Sequence, residues 1–156
     1  MFEEDNPKGL KGEDITERYL YERQKAITVF RMQGYYPEWD MIAVMEKGKL
    51  KTIETKTDIM ENQTGNIAIE YMNRGKLSGI LVSQADWYVI VLKAKLLCMK
   101  RRDLFYFLRE NSFKEIKGMG DFSTIILVPT DELIAAGFCD VWNYNKITTS
   151  TNRNLE

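Results

Sequence analysis

The chain has no histidine. Without an imidazole there is no Ser-His-Asp or Cys-His nucleophile, no histidine metal cluster and no nuclease motif built on a histidine base. Neither Gly-x-x-x-x-Gly-Lys-Ser/Thr nor Gly-x-Gly-x-x-Gly occurs, so the usual cradles for phosphates are missing and no nucleotide cofactor is expected. No apolar run approaches the roughly 20 residues of a membrane helix. The acidic opening at 1–5 is unlike a signal peptide, so we expect a cytoplasmic protein with no membrane partner. Cysteine is scarce: Cys98 and Cys139 lie far apart and form no Cys-x-x-Cys pair, as for reduced core residues. Excess charge is lacking too. A net charge of −1 means that any contact with nucleic acid needs a local basic surface.

What remains is carboxylate, lysine and metal chemistry on an ordinary globular composition. The 156 residues, 44% hydrophobic and 29% charged, suit a single domain with a sizeable core. There is no internal repeat, low-complexity tract or linker. We assign the domain to 1–145 and a polar, frayed tail to 146–156.

Apolar spacing at Ile15, Tyr19, Leu20 and Ile27 predicts a helix over 12–25, with Glu13, Glu17 and Gln24 along its flank. Strands are predicted at 26–32, 40–45, 50–57, 67–72, 87–92, 95–99 and 124–128. Residues 41–45 are apolar throughout, which predicts a central strand buried on both faces. Helices are predicted from an N-cap at Ser78 to about 85, over 101–110 with Leu104, Phe105, Phe107 and Leu108 inward, and from 130. Residues 62–66 and 73–79 read as loops. The whole is an α/β fold, a mixed sheet flanked by helices.

The chemistry concentrates at two runs. Asp40 leads into an apolar strand, and Glu54-Thr55-Lys56 lies in the next, beyond a turn at 46–49. Two antiparallel strands would set them side by side, with Glu54 and Lys56 on one face and Ile53, Thr55 and Thr57 on the other. An acid entering a buried strand is costly unless paired or bound to a metal. Two carboxylates beside one lysine meet the needs of phosphodiester hydrolysis: anionic ligands for a hard divalent cation, and a positive group for the charge gathering on phosphorus. Taken alone, Glu-x-Lys is better explained by a solvated strand face.

The ordered pattern resembles the PD-(D/E)XK nuclease superfamily, which includes restriction enzymes, RecB-type nucleases and archaeal Holliday-junction resolvases. Pro37-Glu38-Trp39-Asp40 stands at the family's Pro-Asp, with two residues inserted, and Glu54-Thr55-Lys56 matches its second half. Residues 11–18, Lys-Gly-Glu-Asp-Ile-Thr-Glu-Arg, are similar to the resolvase opening with one extra residue, so both Glu13 and Glu17 are candidates for a helix carboxylate. The resemblance implies a restriction-endonuclease-like fold and a DNA endonuclease that uses Mg²⁺ or Mn²⁺ and leaves 5′-phosphate ends. Asp40, Glu54 and the carbonyl of Thr55 would hold the metal. Lys56 would position or activate water, and Glu17 would assist.

Substrate contacts are read more loosely. Arg74, Lys76 and Ser78 in the glycine-containing loop are candidate DNA contacts, with an ordinary turn as the alternative. Lys93, Lys95, Lys100, Arg101 and Arg102 would add to a basic surface only if they shared a face. Tyr35, Tyr36 and Trp39 would stack on bases or pack a loop, and Glu70 would stand near the metal or simply in solvent. A non-catalytic binding module on the same scaffold is the competing reading. Paired strand cuts would require a homodimer or higher even-numbered oligomer, with the aromatic segment 138–144 either a candidate interface or, equally, buried in its own domain.

Overall fold

The computed structural model describes residues 7–117 and 123–145, with side chains from residue 11 onward. The acidic opening 1–5 and the tail 146–156 lie outside the described residues. The first helix, α1, runs Pro7–Glu22, starting earlier and ending sooner than predicted. Proline suits a first helical turn because its missing N–H would be unpaired there anyway. Ile15, Tyr19 and Leu20 are buried as predicted, but Ile27 lies beyond the helix and is 63% exposed.

Next come β1 (Thr28–Arg31), β2 (Met41–Val44), β3 (Leu50–Thr57) and a one-turn α2 (Glu61–Thr64) inside the predicted loop. They are followed by β4 (Asn66–Asn73), β5 (Lys76–Leu77), β6 (Trp87–Val91) and β7 (Leu96–Lys100). The chain continues with α3 (Arg101–Glu110), β8 (Lys114–Lys117), β9 (Ser123–Pro129), α4 (Thr130–Ala135) and β10 (Asp140–Trp142). This is an α/β fold. Instead of one mixed sheet there are two: a six-stranded sheet in the order β1-β2-β3-β6-β7-β10 and an antiparallel sheet in the order β5-β4-β9-β8. Within the larger sheet only β3 and β6 pair in parallel.

Two cores lie on opposite faces of the large sheet. Under α1, Ile15, Tyr19 and Leu20 pack with Met41, Ala43, Ile53, Trp87 and Val89. On the other face Tyr88, Ile90, Leu97 and Met99 meet Ile67 and Ile69 of β4, Leu104 of α3 and Leu133 of α4. The doubly buried strand is therefore β6, buried at all five positions, and not β2. β2 lies second from the edge, and only Met41 and Ala43 are buried, because α1 covers that end of the sheet on one face alone.

One further prediction is corrected, and two alternatives are decided. Residues 78–85 form no helix but a single 3₁₀ turn at Gly79–Leu81, and Ser78 makes no capping bond. Residues 73–79 take the turn alternative, since Arg74 and Gly75, both at positive φ, turn β4 into β5. In the segment 138–144, β10 pairs with β7, and Cys139, Asp140 and Trp142 are buried in their own domain. Cys98 and Cys139 are both buried, as predicted.

A buried ion pair fastens the helix to this last strand. Arg23 Nη2 lies 2.8 Å from Asp140 Oδ1, and Tyr19 donates to Oδ2 at 2.7 Å. The aspartate thus meets both a cation and a hydroxyl where no water reaches.

Candidate active site

Close packing of α1 sets the position of β3. A methyl group added at Gly12 would fall 1.9 Å from Thr57 Oγ1, so glycine lets the helix backbone lie directly on the strand. One turn on, Thr16 Oγ1 donates to the Gly12 carbonyl and lies 2.7 Å from Thr55 Oγ1. These contacts use the odd-numbered face of β3 and turn Glu54 and Lys56 to the opposite face, as the alternation predicts.

Asp40 reaches the same place from β2. Its N–H donates to the Ile53 carbonyl at 2.8 Å, and its Oδ2 accepts the Thr55 N–H at 2.8 Å. The Glu-x-Lys backbone therefore holds the aspartate directly. Lys56 Nζ lies 3.1 Å from Glu54 Oε1, whereas Glu54 Oε2 is buried with no hydrogen-bond donor.

Electrostatics follow from this crowding. Burial pushes the Glu54 carboxyl up to about 7; Lys56 opposes the shift, and Asp40 adds to it by charge and by hydrogen bonding. At Lys56, burial pulls the pKa down, but Glu54, Asp40 and Glu70 together outweigh it and the net shift is upward. The upward shift favours the charged ammonium. Tyr88, opposite Glu54 in the parallel ladder, has its phenol pushed up by burial first and then by Glu54, Asp40 and Glu70.

The trio opens on a cavity of about 640 Å³. Its walls include Glu13, the loop residues Tyr35, Tyr36, Glu38 and Trp39, and Ser78, Gly79 and Gln84. Gly79 makes the far wall possible, since a Cβ there would fall 2.1 Å from the Glu70 carbonyl and the residue has φ +54°. Ser78 donates to Glu70 Oε1 at 2.8 Å, which holds Glu70 behind this wall.

No family model, curated protein or solved structure matches this chain. Its chemistry has to be read from the residues themselves. Asp40, Glu54, Lys56 and Glu13 share the cavity, with Thr55 behind Asp40. Glu17 is not on its lining: Arg31 Nη2 binds Glu17 at 2.5 Å and Asp14 at 2.6 Å. Of the two helix carboxylates Glu13 faces the site, its pKa raised by burial and then by Asp40 against the pull of Arg31. Of the three candidate DNA contacts only Ser78 lines the cavity; Arg74 and Lys76 lie on the β4–β5 hairpin. Tyr35 stands 93% exposed at the rim, and the Tyr36 and Trp39 rings pack edge-on at 5.2 Å.

Arg31, Glu38 and Gln84 were not apparent from the sequence. Arg31 had one usable signal, as the only cation in an otherwise apolar strand. Gln84 had none, because its place depends on its N–H meeting the Glu38 carbonyl across the fold.

A metal fits this donor set on one observation. Glu54 Oε2, buried without a donor in the protein, is free to accept a cation. Among the described residues no group of three or more His, Cys, Asp or Glu converges on a metal position. A carboxylate pair with a backbone carbonyl suits Mg²⁺, which keeps several waters and takes one or two carboxylates.

Proposed function

We propose that this chain is a metal-dependent DNA endonuclease of the PD-(D/E)XK type. The observation that carries the reading is the convergence of Asp40, Glu54 and Lys56 on one cavity, with a buried carboxylate oxygen left without a donor. Asp40, Glu54 and the Thr55 carbonyl would hold Mg²⁺ or Mn²⁺, which when bound would supply positive charge against the negative charge gathering at phosphorus. Asp40 and Glu54 bind and orient. Lys56, kept protonated by Glu54 and Asp40, positions the attacking water and stabilises the pentacovalent phosphorus. Glu13, in place of Glu17, adds a carboxylate from the helix side.

One such site cuts one strand, so paired cuts call for a homodimer or a higher even-numbered oligomer. The test is a cleavage panel of plasmid, random duplex, single strand, flap and four-way junction, with and without Mg²⁺. Metal-dependent cutting of at least one substrate is expected, lost by about 100-fold or more in Lys56→Ala. Cutting that survives EDTA, or is undiminished in that variant, overturns the mechanism.

A further inference from the structure

A second cavity, about 280 Å³, lies beside the candidate active site at the end of the sheet where β6 begins. Lys51, Lys100, Arg101 and Arg102 line it, together with Asp86 as the one acidic residue. On a chain of net charge −1 this is a local concentration of positive charge. The cations come from three places, β3, the end of β7 and the start of α3, and only the fold brings them together.

Several of these groups are already positioned. Lys51 Nζ lies 5.9 Å from the centroid of the buried Trp87 ring, a cation–π contact that gives the side chain a rigid floor. Arg101 donates from Nε to the Ala85 carbonyl at 2.9 Å and from its N–H to the Asp86 carbonyl at 3.0 Å. Asp86 Oδ2 accepts from the Thr52 N–H and hydroxyl at 3.0 and 3.2 Å.

The two cavities meet at Gln84, which lines both. Lys51 precedes Glu54 by three residues along β3, so the two side chains leave opposite faces of the sheet, and a strand that joins the two cavities passes round the end of the sheet at Gln84. Lys100 sits opposite Trp87, which in turn sits opposite Ile53, so Lys51 and Lys100 leave the sheet on one face, beside the end of β6, and the carboxylates on the other.

We propose that this cleft carries the phosphodiester backbone of the nucleic-acid strand whose neighbouring segment occupies the Asp40, Glu54 and Lys56 cavity. The inference rests on the endonuclease reading for the identity of the polyanion. Trp87 is buried beneath Lys51 and offers no face to a base, so the contact reads charge and not sequence.

The test is fluorescence anisotropy with labelled single-stranded and duplex DNA of two unrelated sequences, in EDTA, across a salt series. The variants are the Lys51→Ala/Arg102→Ala double and a charge-matched Lys93→Ala/Lys95→Ala double from the opposite end of β6. The cleft double is expected to raise Kd about tenfold and to lower the slope of log K against log salt by one to two, alike for both sequences. The control is expected to change Kd less than about twofold. Wild-type affinity and slope in the cleft double overturn the proposal, and so do equal losses in the two doubles, which would indicate a diffuse field. Displacement of DNA by polyglutamate at equal charge concentration overturns the choice of nucleic acid. A wild type that does not bind DNA removes the cleft, and the endonuclease reading is then decided by the Mg²⁺ cleavage panel alone. One that binds through the cleft but never cuts keeps the first and removes the second.

Discussion

Glu54 is the residue on which the site's pH behaviour turns. Its carboxyl is pushed from the usual carboxylate range up to about 7 by burial, with Asp40 adding to the shift. A raised pKa in an acid means that the folded state favours the protonated form. The cost is absent below the unfolded value near 4.5, grows as pH rises, and is complete above about 7. The Glu54→Gln variant cannot ionise and escapes that cost. We expect its stability to match the wild type near pH 4 and to exceed it by about 1–3 kcal/mol at pH 8. Urea denaturation at the two pH values reads the difference, and an equal gap at both contradicts the burial argument. At pH 8, Mg²⁺ or Mn²⁺ should raise the wild-type Tm and leave that of Glu54→Gln unmoved, since a ligand stabilises only a state that binds it.

At the scale of elements, the site depends on how closely α1 lies against β3. Alanine is normally the better helix residue by about 1 kcal/mol, yet at Gly12 its methyl group would fall 1.9 Å from Thr57 Oγ1. Overpacking of this kind costs about 1–3 kcal/mol. Gly12→Ala should therefore lose about 1 kcal/mol or more in spite of its propensity, and Thr57→Ala in the same chain should restore most of it. A double-mutant cycle by chemical denaturation measures the coupling, and additive effects would show that helix and strand are not in contact there.

The same elements show what local sequence can and cannot reveal. The bounds of β3, Leu50–Thr57, agree with the predicted 50–57, because alternation and the 46–49 turn are properties of neighbours. The pairing of Asp40 with Glu54-Thr55-Lys56 was legible for the same reason. Burial of β2 was not, since an apolar run says nothing of whether a second layer will cover it. Glu13 and Glu17 lie on the same helix flank, and Arg31, brought from β1, bonds Glu17 closely while standing 3.8 Å from Glu13. Across such distances the pattern of one segment carries no trace of its partner.

For the whole molecule, the decisive strand is β6. Val89 points into the core under α1, while Ile90 points into the core shared with β4, α3 and α4. β7 divides in the same way, with Cys98 in the first core and Leu97 and Met99 in the second. Neither core can come apart without stripping one face of strands that the other needs, so the two should melt as a single unit. Trp87 and Trp142 lie in the first core and report on it by fluorescence once the third tryptophan, Trp39, is replaced by Phe, whereas far-UV circular dichroism reports on all the strands and helices. We expect the two probes to give one coincident urea transition. Val89→Ala and Ile90→Ala remove buried carbons from opposite cores, and each should cost about 2–4 kcal/mol. Each should also shift both probes equally. The telling variant is Ile90→Ala: should its fluorescence midpoint stay at the wild-type value while the dichroism midpoint falls, the second core would be unfolding alone. The candidate site, set between β3 and the turn at Gly79–Leu81, would then lose one wall before the other.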